Sequence, residues 1–266
     1  MALRAFLALA LLLTLAAGAR AQTISEARVR EAIDDAAGGL GQALGGGSPL
    51  TGPASTTGGL LGLRTGLSLG LSAADIEDPR RPAGEIDVVL PVGSAHAAVG
   101  LTRRVDVLGK IGLLAAGNDY EGIALTLGLG ARVGLLRDAP ALPDVSASLY
   151  RTWVDGLEFG ELVDDEVAFD ADVATWSLRL DASQGFGVVT PYAGVGLDRT
   201  GIDADYRIPS SQSSVGTEIE GSIDTSDTHG KAYVGAELNL LVLRAAAEIG
   251  AGAAGTFLGV AVRLGP

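Results

Sequence analysis

From Leu61 to Ser72 the chain reads Leu-Gly-Leu-Arg-Thr-Gly-Leu-Ser-Leu-Gly-Leu-Ser, with leucine at every odd position but Thr65 and glycine, serine or arginine at every even one. A strand sends alternate side chains to opposite faces, so this segment has one aliphatic face and one small or polar face; a helix would scatter the leucines around its circumference. The same rhythm returns at Ala95–Leu101, Val107–Leu113, Ile123–Leu135, Val145–Leu149, Ala174–Leu180, Val189–Leu197, Ala232–Leu240, Leu243–Ile249 and Leu258–Leu264. These are ten segments, candidate cores of the strands of ~9 to 11 residues with which a tilted sheet crosses a bilayer. The links between them alternate. Those near 103–106, 137–143, 183–188 and 240–242 are short, whereas those near 73–84, 154–172 and 200–230 are long and acidic, with only those near 117–122 and 252–256 short on that side. Long connections at one end and tight turns at the other is the pattern of an up-and-down transmembrane barrel, with both termini on the short-turn side.

A soluble sandwich also alternates with period two, but its polar face is solvated and rich in Lys, Glu and Thr. Here that face is glycine, serine and alanine with isolated charges, which suits the crowded inside of a narrow barrel. The fold class expected is therefore all-β, a closed antiparallel up-and-down barrel of about ten strands, with a short N-terminal helix. Closure satisfies the edge hydrogen bonds that lipid cannot.

Three segments follow. Residues 1–21 have a basic residue at Arg4, an apolar core too short to span a bilayer, and Ala19-Arg20-Ala21 before Gln22, which is the layout of a cleaved export signal. In 22–58, Ala27, Val29, Ala32, Ile33 and Ala36 recur at helical spacing, and Gly38-Gly39 reads as the stop before a Gly/Ser/Thr/Pro-rich linker. That helix is expected in the periplasm, with two alternatives, a plug in the barrel lumen or a frayed lead-in with no separate role. Residues 59–266 form the barrel.

Composition narrows the chemistry. Without its first twenty-one residues the chain has seventeen basic side chains against thirty-two acidic ones, a balance of −15. Such a surface does not suit nucleic acid, which needs basic patches. There is no cysteine, so neither disulfides nor thiolate metal sites exist. Mean hydropathy is +0.34, high for an exported soluble chain, and no apolar run after the signal reaches ~18 residues.

On this pattern, with segments such as Leu101-Thr102-Arg103-Arg104-Val105-Asp106-Val107 as tight hairpins, the chain resembles small bacterial outer-membrane β-barrel proteins of the porin-like, uncharacterised kind. The resemblance covers residues 22–266. It implies contact with outer-membrane lipid and assembly by the barrel-assembly machinery. The chain departs from those proteins by ending Leu264-Gly265-Pro266 rather than on an aromatic residue, and its aromatic girdle is thin, with Trp153, Trp176, Tyr150, Tyr192, Tyr233 and Phe257 as candidates.

The inward parity collects Arg64, Lys110, Arg132, Arg179, Lys231, Arg244 and Arg263 against Asp106, Asp181, Asp198, Glu237 and Glu248. Buried charges must pair, so one reading is a salt-bridged, packed lumen in a non-conducting structural or interaction barrel with acidic surface loops. The other is a narrow pore or carrier for small solutes with an anionic preference. Inner-face glycines at positions such as 66, 128, 130, 194, 196 and 235 leave space for a small cavity, or equally permit strong coiling of the strands. No cofactor is implied. Asp164, Asp165 and Glu166 are weak calcium-type candidates in an acidic loop whose spacing matches no defined calcium loop. A barrel hydrolase, on the pattern of the omptin-like proteases, is a remote third reading. It would rest on His229 beside Asp227, because His96 has no partner nearby in sequence; no catalytic residues and no enzyme are expected.

Overall fold

The computed structural model describes Ile33 and residues 37–45, 62–77, 85–115, 123–137, 142–159, 168–208 and 218–265. The expected export signal and the candidates Asp164, Asp165 and Glu166 lie outside them. Ten strands follow one another: β1 Leu63–Glu77, β2 Glu85–Gly100, β3 Val105–Ala115, β4 Ile123–Leu136, β5 Asp144–Phe159, β6 Ala168–Ser183, β7 Val189–Ile208, β8 Ile219–Leu240, β9 Leu243–Gly252 and β10 Gly255–Leu264. Each pairs antiparallel with its neighbours in sequence, and β1 pairs with β10 from Thr65↔Leu264 to Ala73↔Thr256, so the sheet closes on itself. No helix among the described residues is long and apolar enough to cross a membrane; the strands have that role in a barrel.

The short-turn end is built by local chemistry. Between β2 and β3 the Thr102 hydroxyl accepts hydrogen bonds from the backbone N–H groups of Arg104 and Val105, both at 3.1 Å, and Leu101 N–H donates to Val105 carbonyl at 2.8 Å. Between β8 and β9 only Leu241 and Val242 intervene, and Leu241 takes a φ of 59°, a left-handed conformation that a two-residue hairpin demands.

Over the middle of the barrel the outward positions are aliphatic and bare. Leu67, Leu69 and Leu129 are 60–67% exposed, and Leu127, Leu178, Val195, Leu197, Val234 and Val260 point the same way. Toward the long-connection end the pattern inverts. Leu90, Val92, Leu114, Val154, Val173, Ile202, Ala204, Tyr206 and Ile223 turn inward and are buried. Asp172, Asp203, Asp205 and Asp224 take the outward places. The lower barrel is greasy outside and polar inside, and the upper barrel is the reverse, as a sheet must be where it leaves hydrocarbon for water.

This corrects the sequence expectation for the links. Much of the 73–84, 154–172 and 200–230 segments is strand, and β7 pairs with β8 from Val189↔Leu238 up to Ile208↔Ile219. Asp172, Asp203, Asp205, Glu220 and Asp224 sit at alternate, water-facing positions of that continuing ladder.

The N-terminal helix also departs from expectation. Ile33 and residues 37–45 are helical, so Gly38-Gly39 does not end the helix and part of the expected linker belongs to it. Ile33, Ala37, Leu40, Ala43 and Leu44 are buried, and the described helix stands inside the barrel rather than in the periplasm. We call it α1. Its glycines allow this. A Cβ on Gly38 would lie 3.1 Å from an Asp227 carboxylate oxygen and 3.4 Å from the Ala254 Cβ; on Gly41 it would overlap the Thr200 hydroxyl; on Gly45 it would meet Ser177 and Asp198. The Gly38 end of α1 therefore lies at the long-connection end, beside Asp227 and Ala254, and its C-terminal end points toward the middle of the lumen.

Candidate functional site

Among the described residues, the lumen is where the strand parity gathers chemistry from every side. Arg64, Lys110, Arg132, Arg179, Lys231, Glu237, Glu248 and Arg263 are all buried inside the barrel, and Arg244 is partly buried at its short-turn end.

Their charges fall into four groups. Arg64 from β1 and Arg132 from β4 share the fully buried Asp106 of β3 at 2.7 and 2.9 Å. Arg263 and Arg244, directly opposite one another on β10 and β9, both reach Glu237 of β8, at 3.1 and 3.6 Å. The Arg179 guanidinium donates to Glu248 at 2.8 Å, spanning β6 to β9, and to the Tyr233 hydroxyl at 2.9 Å; that hydroxyl in turn donates to Asp181 at 2.5 Å. Lys231 pairs with Asp198 at 2.7 Å, and His229 approaches Asp198 at 3.7 Å and Asp227 at 3.4 Å. Each basic group in these sets has a carboxylate, the condition for keeping charge in a dry interior.

Lys110 is different. Its ammonium donates to the backbone carbonyl of Leu44 in α1 at 2.8 Å and lies 5.2 Å from the centre of the Tyr150 ring. A cation at a helix C-terminal carbonyl is matched to the negative end of the helix dipole. Gln42 of α1 donates to the Ser72 hydroxyl at 3.4 Å, a second polar tie between helix and wall. His96, also inward, has no hydrogen-bond partner at either ring nitrogen among the described residues.

The glycines expected to leave a cavity are filled instead. Tyr150 stands directly opposite Gly130, Tyr233 opposite Gly194, Tyr192 opposite Gly235 and Phe257 opposite Gly250. In each pair the ring lies where the glycine would carry a Cβ; at Gly128, also beneath Tyr150, the clearance to the ring hydroxyl is 2.8 Å. A glycine under a cross-strand aromatic ring lets the ring lie flat on the wall and restores the packing that the missing side chain forfeits. This also corrects the aromatic girdle: Tyr150, Tyr192, Tyr233 and Phe257 are buried, and only Trp153 and Trp176 of the six candidates face outward. The parity held the signal for this, because Tyr192 shares its parity with Gly194 and Tyr233 shares its own with Gly235.

The fold these features define is that of a small outer-membrane β-barrel: closed, ten-stranded, aliphatic on its waist and filled within. The translocator domain of the autotransporter NalP from Neisseria meningitidis is similar at a TM-score of 0.52 with 12% identity, over 91% of this chain and 99% of that one. The outer membrane protease OmpT from Escherichia coli gives 0.43 and 9%, over 77% and 97%. Ail, the attachment invasion locus protein of Yersinia pestis, gives 0.36 and 13%, over 77% and 98%. No protein-family model matches the chain, and no curated protein matches it.

Proposed function

We propose that this chain is an exported outer-membrane barrel whose lumen is held shut by its own N-terminal helix, a non-conducting barrel that presents an acidic, strand-built rim to the outside. The observation that carries this reading is the Lys110–Leu44 hydrogen bond at 2.8 Å, a buried cation of the wall whose partner is the plug. The long-connection end faces out and the short turns face the periplasm, as in bacterial barrels generally. The alternating Asp172, Asp203, Asp205 and Asp224 form a rigid anionic surface suited to a cationic surface partner. His229 belongs to the seat of the plug, between Asp198, Asp227 and Gly41, rather than to a hydrolytic centre. Assembly through the periplasm and insertion by the barrel-assembly machinery complete the reading.

Planar-bilayer recording tests it. The chain from Gln22 onward is expected to be silent, and the same chain lacking residues 22–58 is expected to pass ions at roughly tenfold or more above that background, since ten strands enclose a lumen only when nothing else fills it. Steady conductance with the helix present would overturn the plug and restore the narrow-pore reading.

The membrane setting has its own check. Leu178→Arg, on the aliphatic waist, is expected to cost about 2–4 kcal/mol of folding stability in lipid, whereas Ser222→Arg, outward on the acidic rim, is expected to change it by less than about 0.5 kcal/mol. Urea titration in vesicles measures both. Equal costs would mean that the waist does not face acyl chains.

A further inference from the structure

The boundary between the aliphatic waist and the acidic rim carries a feature that the plug does not use. In register across three strands stand Arg151 of β5, Trp176 of β6 and Arg199 of β7, all facing outward, with Trp153 next along β5 on the same face. The Arg151 guanidinium lies 5.0 Å from the Trp153 ring centre and 5.1 Å from that of Trp176, so the two indoles hold it between them. Immediately toward the short-turn end the same outward rows read Leu149, Leu178 and Leu197; two steps toward the rim they read Asp172 and Asp203. The cluster therefore sits at the water edge of the hydrocarbon band.

Among the described residues neither Arg151 nor Arg199 has a carboxylate within ion-pair distance, although acids dominate the surface above them, and the Arg151 Nε is buried without a hydrogen-bond partner. Arg207, higher on β7, shows the contrast: it is neutralised by Glu218 at 2.5 Å and Glu220 at 3.7 Å. Strands are ~4.8 Å apart, so Arg151 and Arg199 rise from the wall about 10 Å apart with an indole between them. That is a cradle for two phosphates of one amphiphile, with its chains lying on the leucines below. Guanidinium binds phosphate through paired N–H donors, and indole suits the headgroup depth.

We propose that Arg151, Arg199, Trp153 and Trp176 form a binding site for a phosphate-bearing lipid of the outer leaflet. The proposal takes its orientation from the outer-membrane reading above, and it is independent of whether the lumen is plugged.

Trp153 and Trp176 are the chain's only tryptophans, so intrinsic indole emission reports this site and no other. The full chain from Gln22 in neutral detergent micelles is titrated with diphosphoryl lipid A, with phosphatidylcholine and with inorganic pyrophosphate. A saturable emission change is expected with lipid A, little with phosphatidylcholine, and none with pyrophosphate at equal concentration. In Arg151→Ala/Arg199→Ala the lipid A midpoint is expected to move roughly tenfold or more higher, the loss of two charge-assisted contacts. Arg151→Lys/Arg199→Lys keeps the charge without the paired donors and is expected to fall between. Arg103→Ala/Arg104→Ala, at the opposite end of the barrel, is expected to leave the midpoint unchanged. Heat-modifiable gel migration verifies that each variant is folded. An unchanged midpoint in the folded alanine variant, or an equal response to phosphatidylcholine, overturns the site. A full response to pyrophosphate overturns the lipid in favour of a free anion. If the plug reading alone were wrong, conductance would appear while this titration stayed as expected.

Discussion

Asp106→Ala is expected to destabilise the barrel by about 3–5 kcal/mol, the loss that follows when one member of a buried ion-pair set is removed. The carboxylate is fully buried and shared by two guanidinia from strands on either side of it, Arg64 at 2.7 Å and Arg132 at 2.9 Å. Truncating it removes the negative charge on which both converge. Asp106→Asn keeps the shape and one acceptor, and is expected to cost less than alanine. Urea unfolding in micelles, followed by gel migration, measures the difference. A cost below about 1 kcal/mol would mean that water already screens these groups, which is the signature of an open lumen rather than a packed one.

Tyr233→Ala is the second large effect, expected at about 3–5 kcal/mol, against about 1–3 kcal/mol for Tyr233→Phe. The ring lies in the hollow over Gly194, 6.5 Å from the ring centre of Phe257, and the Arg179 guanidinium carbon sits 3.9 Å from its centroid. Alanine empties that hollow, while phenylalanine removes only the hydroxyl that links Arg179 to Asp181. The gap between the two variants separates packing from polar bridging. Near-identical losses would place the whole effect on the hydroxyl and leave the glycine hollow without energetic weight.

The part legible in the sequence is the part that depends on alternation alone. Ten segments, their sidedness and the inward set from Arg64 to Arg263 follow from period two, because parity along a strand is local. The reach of β7 and β8 past residue 200 was not legible. There Ile202, Ala204 and Tyr206 still alternate with Asp203 and Asp205, but with the greasy side turned inward, and acidic alternation looks like loop composition when lipid is assumed outside. Gly38-Gly39 misled for a related reason. A glycine pair is a helix stop by propensity, yet here close approach to the wall outweighs propensity. The partners Arg179 and Glu248 lie sixty-nine positions apart, and only the curl of the sheet from β6 to β9 brings them together.

The glycines of α1 bear on the order in which the molecule is made. Three of them, at 38, 39 and 41, stand within the helical run, each costing a helix about 1 kcal/mol relative to alanine, and so short a segment has little helicity by itself in water. Before insertion this stretch is thus a pliant thread, and its coiling waits for surroundings that only a nearly closed cylinder supplies. A cylinder that sealed first would have to admit the thread afterwards through a mouth already lined with side chains. On the plugged-barrel proposal, biogenesis is simpler if the wall zips shut around the thread, with the helix a late product of the same event that joins β1 to β10.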